Sequence, residues 1–160
     1  MDYELAYRYG APSRLDEGAG LALATSGGST PEGEAAHPYF FSGFMERPDV
    51  VAAGLLAVAR VARTRFYVPP GMVVAPGGGL TRIGMLDPVV TSTAEGLRFE
   101  SFSVCCGVYA RLDVEASALD ATHRAVGVTN VDANQPLRAA LASLRAGEPL
   151  HLDVGEEGLT

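Results

Sequence analysis

Two adjacent cysteines, Cys105 and Cys106, carry the least ordinary chemistry of this sequence. Adjacent thiols can supply a reactive nucleophile, a strained vicinal disulfide or two ligands for a metal ion. A structural zinc site usually takes four nitrogen or sulfur ligands, and the chain adds only 3 histidines, none with paired spacing. Free cysteines also pack as small hydrophobic groups, which is the commoner role. We therefore keep both thiols as a candidate site and predict no metal ligand in this chain.

Polar residues that would serve the thiols lie elsewhere in the sequence. A catalytic thiol needs a base and a group that orients the base, and His37 and His151 are the candidate bases. Asn130, Asp132 and Asn134 alternate in a polar loop that completes this candidate site. The alternation resembles a calcium loop, but the glycine and the distal glutamate of that motif are missing. Helix capping and Asx turns explain the three residues better.

The cysteines lie between two segments of alternating polarity, 97–103 and 108–114, which predicts a β-hairpin with the thiols at its tip. Opposite charges facing each other across the strands favour one register, with about 0.2–1 kcal/mol for each pair. The predicted pairs are Arg98 with Asp113, Glu100 with Arg111, Phe102 with Tyr109, Leu97 with Val114 and Phe99 with Leu112. A third strand at 89–93 extends the hairpin into a meander.

Two helices are predicted to cover the apolar face of this meander. Pro48 and Asp49 begin the first, which we expect over about 48–65. Asn134 caps the second, expected over about 135–146. Further strands are predicted near 3–8, 21–25 and 149–154, with loops at 26–34 and 115–126 and a proline- and glycine-rich insertion at about 69–86. The prediction is a single α+β domain, with an antiparallel sheet centred on about 88–114 and both helices on one face.

The charge balance weakens the case for nucleic acid as a partner. The chain has 12 basic and 19 acidic residues, a formal charge of −7, and every basic residue is arginine. Neutralising phosphates supplies most nonspecific affinity for nucleic acid, so protein partners are favoured. The first residues show no basic segment followed by an apolar one, so we expect no signal peptide, and the longest apolar run is too short to cross a bilayer. We therefore expect a cytoplasmic protein with no membrane contact.

Four blocks of the chain, taken in order, resemble the N-terminal region of bacterial SWIM zinc-finger family proteins. The blocks are 25–44, 87–91, 97–114 and 129–141. The family is named for a zinc motif, Cys-x-Cys followed at a distance by Cys-x-His, that serves DNA or protein contact. That motif is absent here, so no ligand carries over and zinc is implied only for a finger downstream. Proteins of this kind are often encoded beside an AAA ATPase and a von Willebrand factor A protein.

The expected function is a noncatalytic interaction or scaffold domain within a multi-component assembly. Residues 159–160 would begin a strand at the very end of the sequence, so we expect 1–160 to be the N-terminal part of a longer protein. The alternative is an enzyme or a small-ligand site at the Cys105-Cys106 turn. An enzyme needs one of these thiols beside an imidazole, whereas an adaptor needs an exposed apolar patch or an open sheet edge.

Overall fold

The chain folds into two helices and two mostly antiparallel sheets, which confirms the predicted α+β class. The structure is a computed structural model that describes residues 9–157 apart from 17, 19, 68, 69, 71–86, 146 and 148. The predicted strand at 3–8, the insertion at 69–86 (except residue 70) and the strand beginning at 159 lie outside the described residues.

The first sheet has five strands in the order β1-β2-β11-β5-β9. Its strands are β1 (Arg14–Asp16), β2 (Gly20–Leu23), β5 (Phe41–Met45), β9 (Leu119–Arg124) and β11 (Leu150–Val154). The second sheet has six strands in the order β4-β3-β10-β6-β7-β8. Its strands are β3 (Gly28–Thr30), β4 (Gly33–Ala35), β6 (Val89–Thr93), β7 (Gly96–Phe102), β8 (Tyr109–Glu115) and β10 (Gly127–Asn130).

The hairpin β7-β8 of the meander has the register that the sequence predicted. Arg98 lies opposite Asp113, Glu100 opposite Arg111, and Phe102 opposite Tyr109. The first pair is an ion pair of 2.7 Å between Nε and Oδ1. On the other face, the pairs of Leu97 with Val114 and Phe99 with Leu112 also stand as predicted. The apolar face decided the register, because a slip of one residue would turn it to solvent.

Helix α1 (Pro48–Ala62) packs against β7 and β8, as predicted, but it ends three residues early. The helix ends where Thr64 leaves it. The Thr64 hydroxyl donates to the Arg60 carbonyl, and the Thr64 carbonyl accepts from the Val104 N–H in the β7–β8 turn. Helix α2 (Gln135–Ser143) begins at the predicted cap and also ends three residues early. Leu144 leaves it in extended conformation and packs against the core.

The sheet is not the single sheet expected around the meander. Strand β11, predicted to flank the meander, lies instead between β2 and β5, where it pairs parallel with β2. Helix α2 contacts α1 and β1, and so reaches the five-stranded sheet. The core that joins the layers includes fully buried aromatic side chains from both sheets, Phe40, Phe41 and Phe99. The sequence identified the strand β11 but gave no signal for its neighbours.

Two predicted loops are strands. The segment 26–34 contains β3 and most of the hairpin β3-β4. One of its glycines, Gly28, is explained by close approach, because a Cβ there would lie 2.4 Å from the Val128 carbonyl oxygen of β10. The segment 115–126 contains a 3-10 turn, Ala116–Ala118, and strand β9. Strand β9 is an edge strand with mostly polar side chains, so it lacks the alternation on which the prediction relied.

Candidate functional site

The two cysteines occupy the β7–β8 turn, at the tip of the meander, as predicted. Both are free thiols; Cys105 is partly exposed and Cys106 is exposed. The turn closes when the Ser103 N–H donates to the Val108 carbonyl and the Cys106 N–H donates to the Ser103 carbonyl, each at 2.8 Å. Cys106 has a left-handed backbone with φ of 58°, which is uncommon for any residue other than glycine. The turn therefore holds Cys105 in a defined position.

Hydrogen-bond donors surround the sulfur of Cys105. The Ser103 hydroxyl lies 3.3 Å from Sγ, and its oxygen accepts from the Val108 N–H at 3.1 Å, so its own proton is available to the sulfur. The Ser103 bond is the largest cause that lowers the pKa of Cys105 to about 6, followed by a backbone bond from Gly107 and others from Phe66 and Tyr67. Donors that favour the charged form lower a thiol pKa.

Exposed aromatic rings surround this turn. Phe66 and Tyr67 are 56% and 59% exposed, and Phe102 and Tyr109, whose ring centroids lie 5.0 Å apart, are 52% and 47% exposed. The structure describes all three histidines, and none of them forms a hydrogen bond with either thiol. His37 Nδ1 lies 3.0 Å from the Thr25 carbonyl oxygen, His123 Nε2 lies 3.1 Å from the Tyr39 carbonyl oxygen, and His151 Nε2 lies 3.3 Å from the Ser42 hydroxyl.

The polar loop of Asn130, Asp132 and Asn134 lies apart from the thiols in the hydrogen-bond network, and its side chains are engaged in structural bonds. Asn134 Oδ1 accepts from the Leu137 N–H at 2.8 Å, which confirms the predicted cap of α2. Asp132 Oδ2 accepts from the Ser13 N–H at 2.9 Å and from Asn134 Nδ2 at 2.7 Å. Asn130 Nδ2 donates to the Asp87 carbonyl at 3.3 Å. The loop thus ties the N-terminal segment to α2.

The candidate residue His37 lines a groove of about 720 Å³ at one end of the molecule. Four segments form it: the β3-β4 hairpin, the chain from 36 to 40, the β9–β10 turn and the residues after β11. Pockets that hold small ligands are typically about 300–1,000 Å³. The floor is largely apolar, and it includes Ala35, Ala36, Pro38 and the half-exposed Val126. The volume of the groove lies within that range, and its lining is more apolar than polar.

The rim of this groove is acidic. Glu32, Glu34, Glu156 and Glu157 line it, and the described residues of the lining include no arginine. Glu34 accepts from the Ser29 hydroxyl, and Glu156 forms an ion pair with Arg14 at 3.0 Å. Among the residues that the structure describes, Glu32 and Glu157 form no ion pair. Two uncompensated carboxylates beside an apolar floor favour a ligand that is both cationic and apolar.

A third arrangement lies on the solvent face of the five-stranded sheet. His151 Nδ1 is 3.2 Å from Asp153 Oδ2, and its Nε2 faces the Ser42 hydroxyl, an order of groups like that of a catalytic triad. Ser42 is only 8% exposed, and the ring of Phe44 packs edge-on against the imidazole at 5.1 Å. Strand β5 pairs on both sides, so its amides serve the sheet. We interpret the contacts of His151 with Ser42 and Asp153 as hydrogen bonds that stabilise the sheet.

Sequence reasoning missed the groove and the donors around Cys105. The acidic residues of the groove are distant in sequence, and His37 was its only member that the sequence singled out. Ser103 was part of the predicted turn, and a serine two residues before a cysteine was the one available signal. The backbone donors at 66 and 67 depend on how α1 ends.

Within the described residues, no three His, Cys, Asp or Glu side chains cluster closely enough to hold a metal ion. In the described part of the chain, no helix is both long enough and apolar enough to span a membrane.

No known protein family, no curated protein and no solved structure matches this chain. The resemblance to SWIM zinc-finger proteins therefore remains a prediction, and the function must be argued from the structure.

Proposed function

We propose that this chain is a noncatalytic interaction domain that binds an extended, basic segment of a protein partner in the acidic groove. The observation that carries the proposal is the combination of an apolar floor with the free carboxylates of Glu32 and Glu157. A basic segment would neutralise these charges, while its apolar side chains would cover Val126, which is 50% exposed. The overall charge of −7 would steer such a partner toward the domain.

The edge of the six-stranded sheet adds a way to hold the partner's backbone. Strand β4 is the outermost strand on this side, and Glu34 and Ala35 of β4 line the groove. An extended segment can add to such an edge through main-chain hydrogen bonds, which provide affinity, while side-chain pockets provide specificity. The groove therefore offers both kinds of contact in one place.

The family resemblance extends this proposal to an assembly. We infer that the domain works in the cytoplasm as the N-terminal module of a protein with a downstream zinc finger, and that its partner belongs to an AAA ATPase and von Willebrand factor A system. The groove limits which part of such a partner binds: a surface segment in which arginine or lysine alternates with apolar residues.

A titration with synthetic peptides tests the groove. The probe is a fluorescein-labelled hexapeptide of alternating arginine and valine, and the matched control carries glutamate in place of arginine. We expect saturable binding of the basic peptide by fluorescence anisotropy and none of the acidic one. Glu32→Gln and Glu157→Gln should each weaken binding by a factor of roughly 1.4 to 5, since an exposed charge contributes about 0.2–1 kcal/mol.

Glu46→Gln is the matched control variant, because Glu46 is exposed and lies outside the groove lining. It removes the same charge and should leave the affinity unchanged. Equal weakening by Glu46→Gln would mean that the peptide senses only the net charge, and the assignment of the groove would be wrong. Failure of the basic peptide to bind at all would also contradict the proposal.

The second candidate function places a small-ligand or enzyme site at the Cys105-Cys106 turn. One observation favours it: a partly exposed thiol whose pKa is lowered to about 6 by Ser103 and by backbone donors. Such a thiolate attacks electrophiles and oxidants without a neighbouring imidazole. Alkylation kinetics separate this candidate from a structural turn.

A further inference from the structure

In the part of the chain that the structure describes, strand β8 is an edge strand of the six-stranded sheet. It is the last strand of the order β4-β3-β10-β6-β7-β8, and β7 is its one partner among the described strands. Hydrogen bonds from Ser103 N to the Val108 oxygen and from Ala116 N to the Glu95 oxygen, both 2.8 Å, mark the two ends of the β7–β8 ladder. In an antiparallel ladder the backbone groups of alternate residues point away from the partner strand.

By this alternation, the N–H and C=O groups that point to the open side belong to Tyr109, Arg111, Asp113 and Glu115. Their side chains are all exposed on the solvent face of the sheet. A strand with free backbone groups and an exposed, regular face is a template for another strand. Its side chains decide which strand fits.

The charges of β8 match a second copy of β8 in antiparallel orientation. With Leu112 opposite Leu112 of the second copy, Arg111 of each chain lies opposite Asp113 of the other, and Tyr109 lies opposite Glu115. Moving the centre by one residue in either direction would instead place two Arg111 or two Asp113 side chains face to face. Opposite charges across an antiparallel pair stabilise it, and like charges destabilise it.

Asp113 has room for this added arginine. Within its own chain its two oxygens accept from Arg98 at 2.7 Å and Arg111 at 2.5 Å. An ionised carboxylate offers about four acceptor positions, so an arginine of the second copy extends the existing charge network. The two cations already present also lower the pKa of Asp113, which keeps it charged.

Helix α1 carries an apolar stripe, one member of which, Gly54, packs over strand β8. A Cβ on Gly54 would lie 2.8 Å from Cδ1 of Leu112, so this side of the helix lies directly over β8. Val50, Gly54, Ala57 and Val61 follow one another at the spacing of a single helix stripe, and each is exposed or half-exposed. Solvent-facing helix surfaces are normally charged, so this stripe indicates a second apolar surface beside it.

We propose that two copies of this domain form a two-fold symmetric dimer through β8, which joins their six-stranded sheets into one. The two α1 helices then lie side by side over the junction, with their stripes of small apolar residues in contact. Two-fold dimers use the same patch on both subunits, and this patch is self-complementary in charge. Strand β4 lies at the opposite edge of the sheet, so both acidic grooves stay open.

Charge reversal tests this interface. Sedimentation equilibrium of the full chain should show a reversible monomer–dimer equilibrium. Arg111→Asp alone and Asp113→Arg alone should each weaken dimerisation about tenfold or more, since each places like charges opposite each other at two symmetric positions. An equimolar mixture of the two single variants restores both pairs, and it should form a heterodimer with an affinity near that of the parent. Glu46→Arg is the control for the charge change.

Hydrogen exchange of the parent chain gives a readout that needs no variant. The amides of Tyr109, Arg111 and Asp113 should exchange more slowly as the protein concentration rises. A chain that stays monomeric at several hundred micromolar would overturn the proposal. So would a dimer that tolerates both charge reversals, or one whose formation leaves these amides unprotected. Circular dichroism of each variant establishes that it is folded before its association is compared.

Discussion

Removal of the Ser103 hydroxyl should make Cys105 a slower nucleophile at acidic pH. The hydroxyl is the largest cause that lowers the pKa of this thiol to about 6, whereas an ordinary cysteine has a pKa near 8.5. At pH 5.5, roughly a quarter of a thiol with a pKa of 6 is ionised, against roughly a thousandth of an ordinary one. The lower basicity of the thiolate reduces its intrinsic nucleophilicity roughly tenfold to eighteenfold. The net expectation is alkylation roughly twentyfold faster than for an ordinary thiol.

The assay is the pH profile of iodoacetamide alkylation in the Cys106→Ala background, which leaves one thiol. The rate should reach half its plateau near pH 6, and Ser103→Ala should move this midpoint upward, toward the ordinary value. Because Ser103 also accepts from Val108, a thermal melt must first show that the variant is folded. A midpoint near 8.5 in the parent, or a midpoint that Ser103→Ala leaves in place, would refute the argument from the donors around the sulfur.

Three further outcomes concern stability. The pKa of Cys105 in the folded chain lies below its value in the unfolded chain. In urea titrations of the Cys106→Ala variant, the free energy of unfolding should therefore rise between pH 6 and about 8.5. The rise should be smaller when Cys105 is also replaced by serine. Asn134→Ala removes the cap of α2 and should lower the free energy of unfolding, measured by urea titration, by about 0.5–2 kcal/mol. Gly96→Ala would place a Cβ 2.1 Å from a β8 carbonyl oxygen, whereas Gly33, also at positive φ, has open space around it. Gly96→Ala should therefore cost roughly 1–3 kcal/mol more than Gly33→Ala.

The meander was predictable because its information is local. Alternation set the inward face, and the charge pairs such as Arg98 with Asp113 agreed with the same register, so two independent patterns supported one answer. The cap at Asn134 was predictable for the same reason, since one side chain bonds an amide three residues later. In both cases the partners lie within a hairpin or a single helical turn.

The parts that the sequence did not predict depend on distant pairings. Gly28 reads as a loop residue, yet its small size serves the approach of β10 some hundred positions away. Both helices end earlier than predicted because of contacts distant in sequence. The Val104 N–H bonds the Thr64 carbonyl just after α1, and Leu144 packs against the core just after α2. The groove joins four segments whose residues share no pattern in sequence. Sheet order, and therefore the neighbours of β11, likewise follows from packing alone.

The central claim is that the acidic groove is where a partner binds, and amide chemical shifts test it most directly. Titration of the isotope-labelled chain with the basic arginine–valine peptide should perturb the amides of Ala35, Ala36, Val126 and Glu157, which line the groove. The amides of the Cys105 turn, at the tip of the meander, should stay unchanged. Shifts confined to that turn, or no saturable shifts at all, would contradict the account.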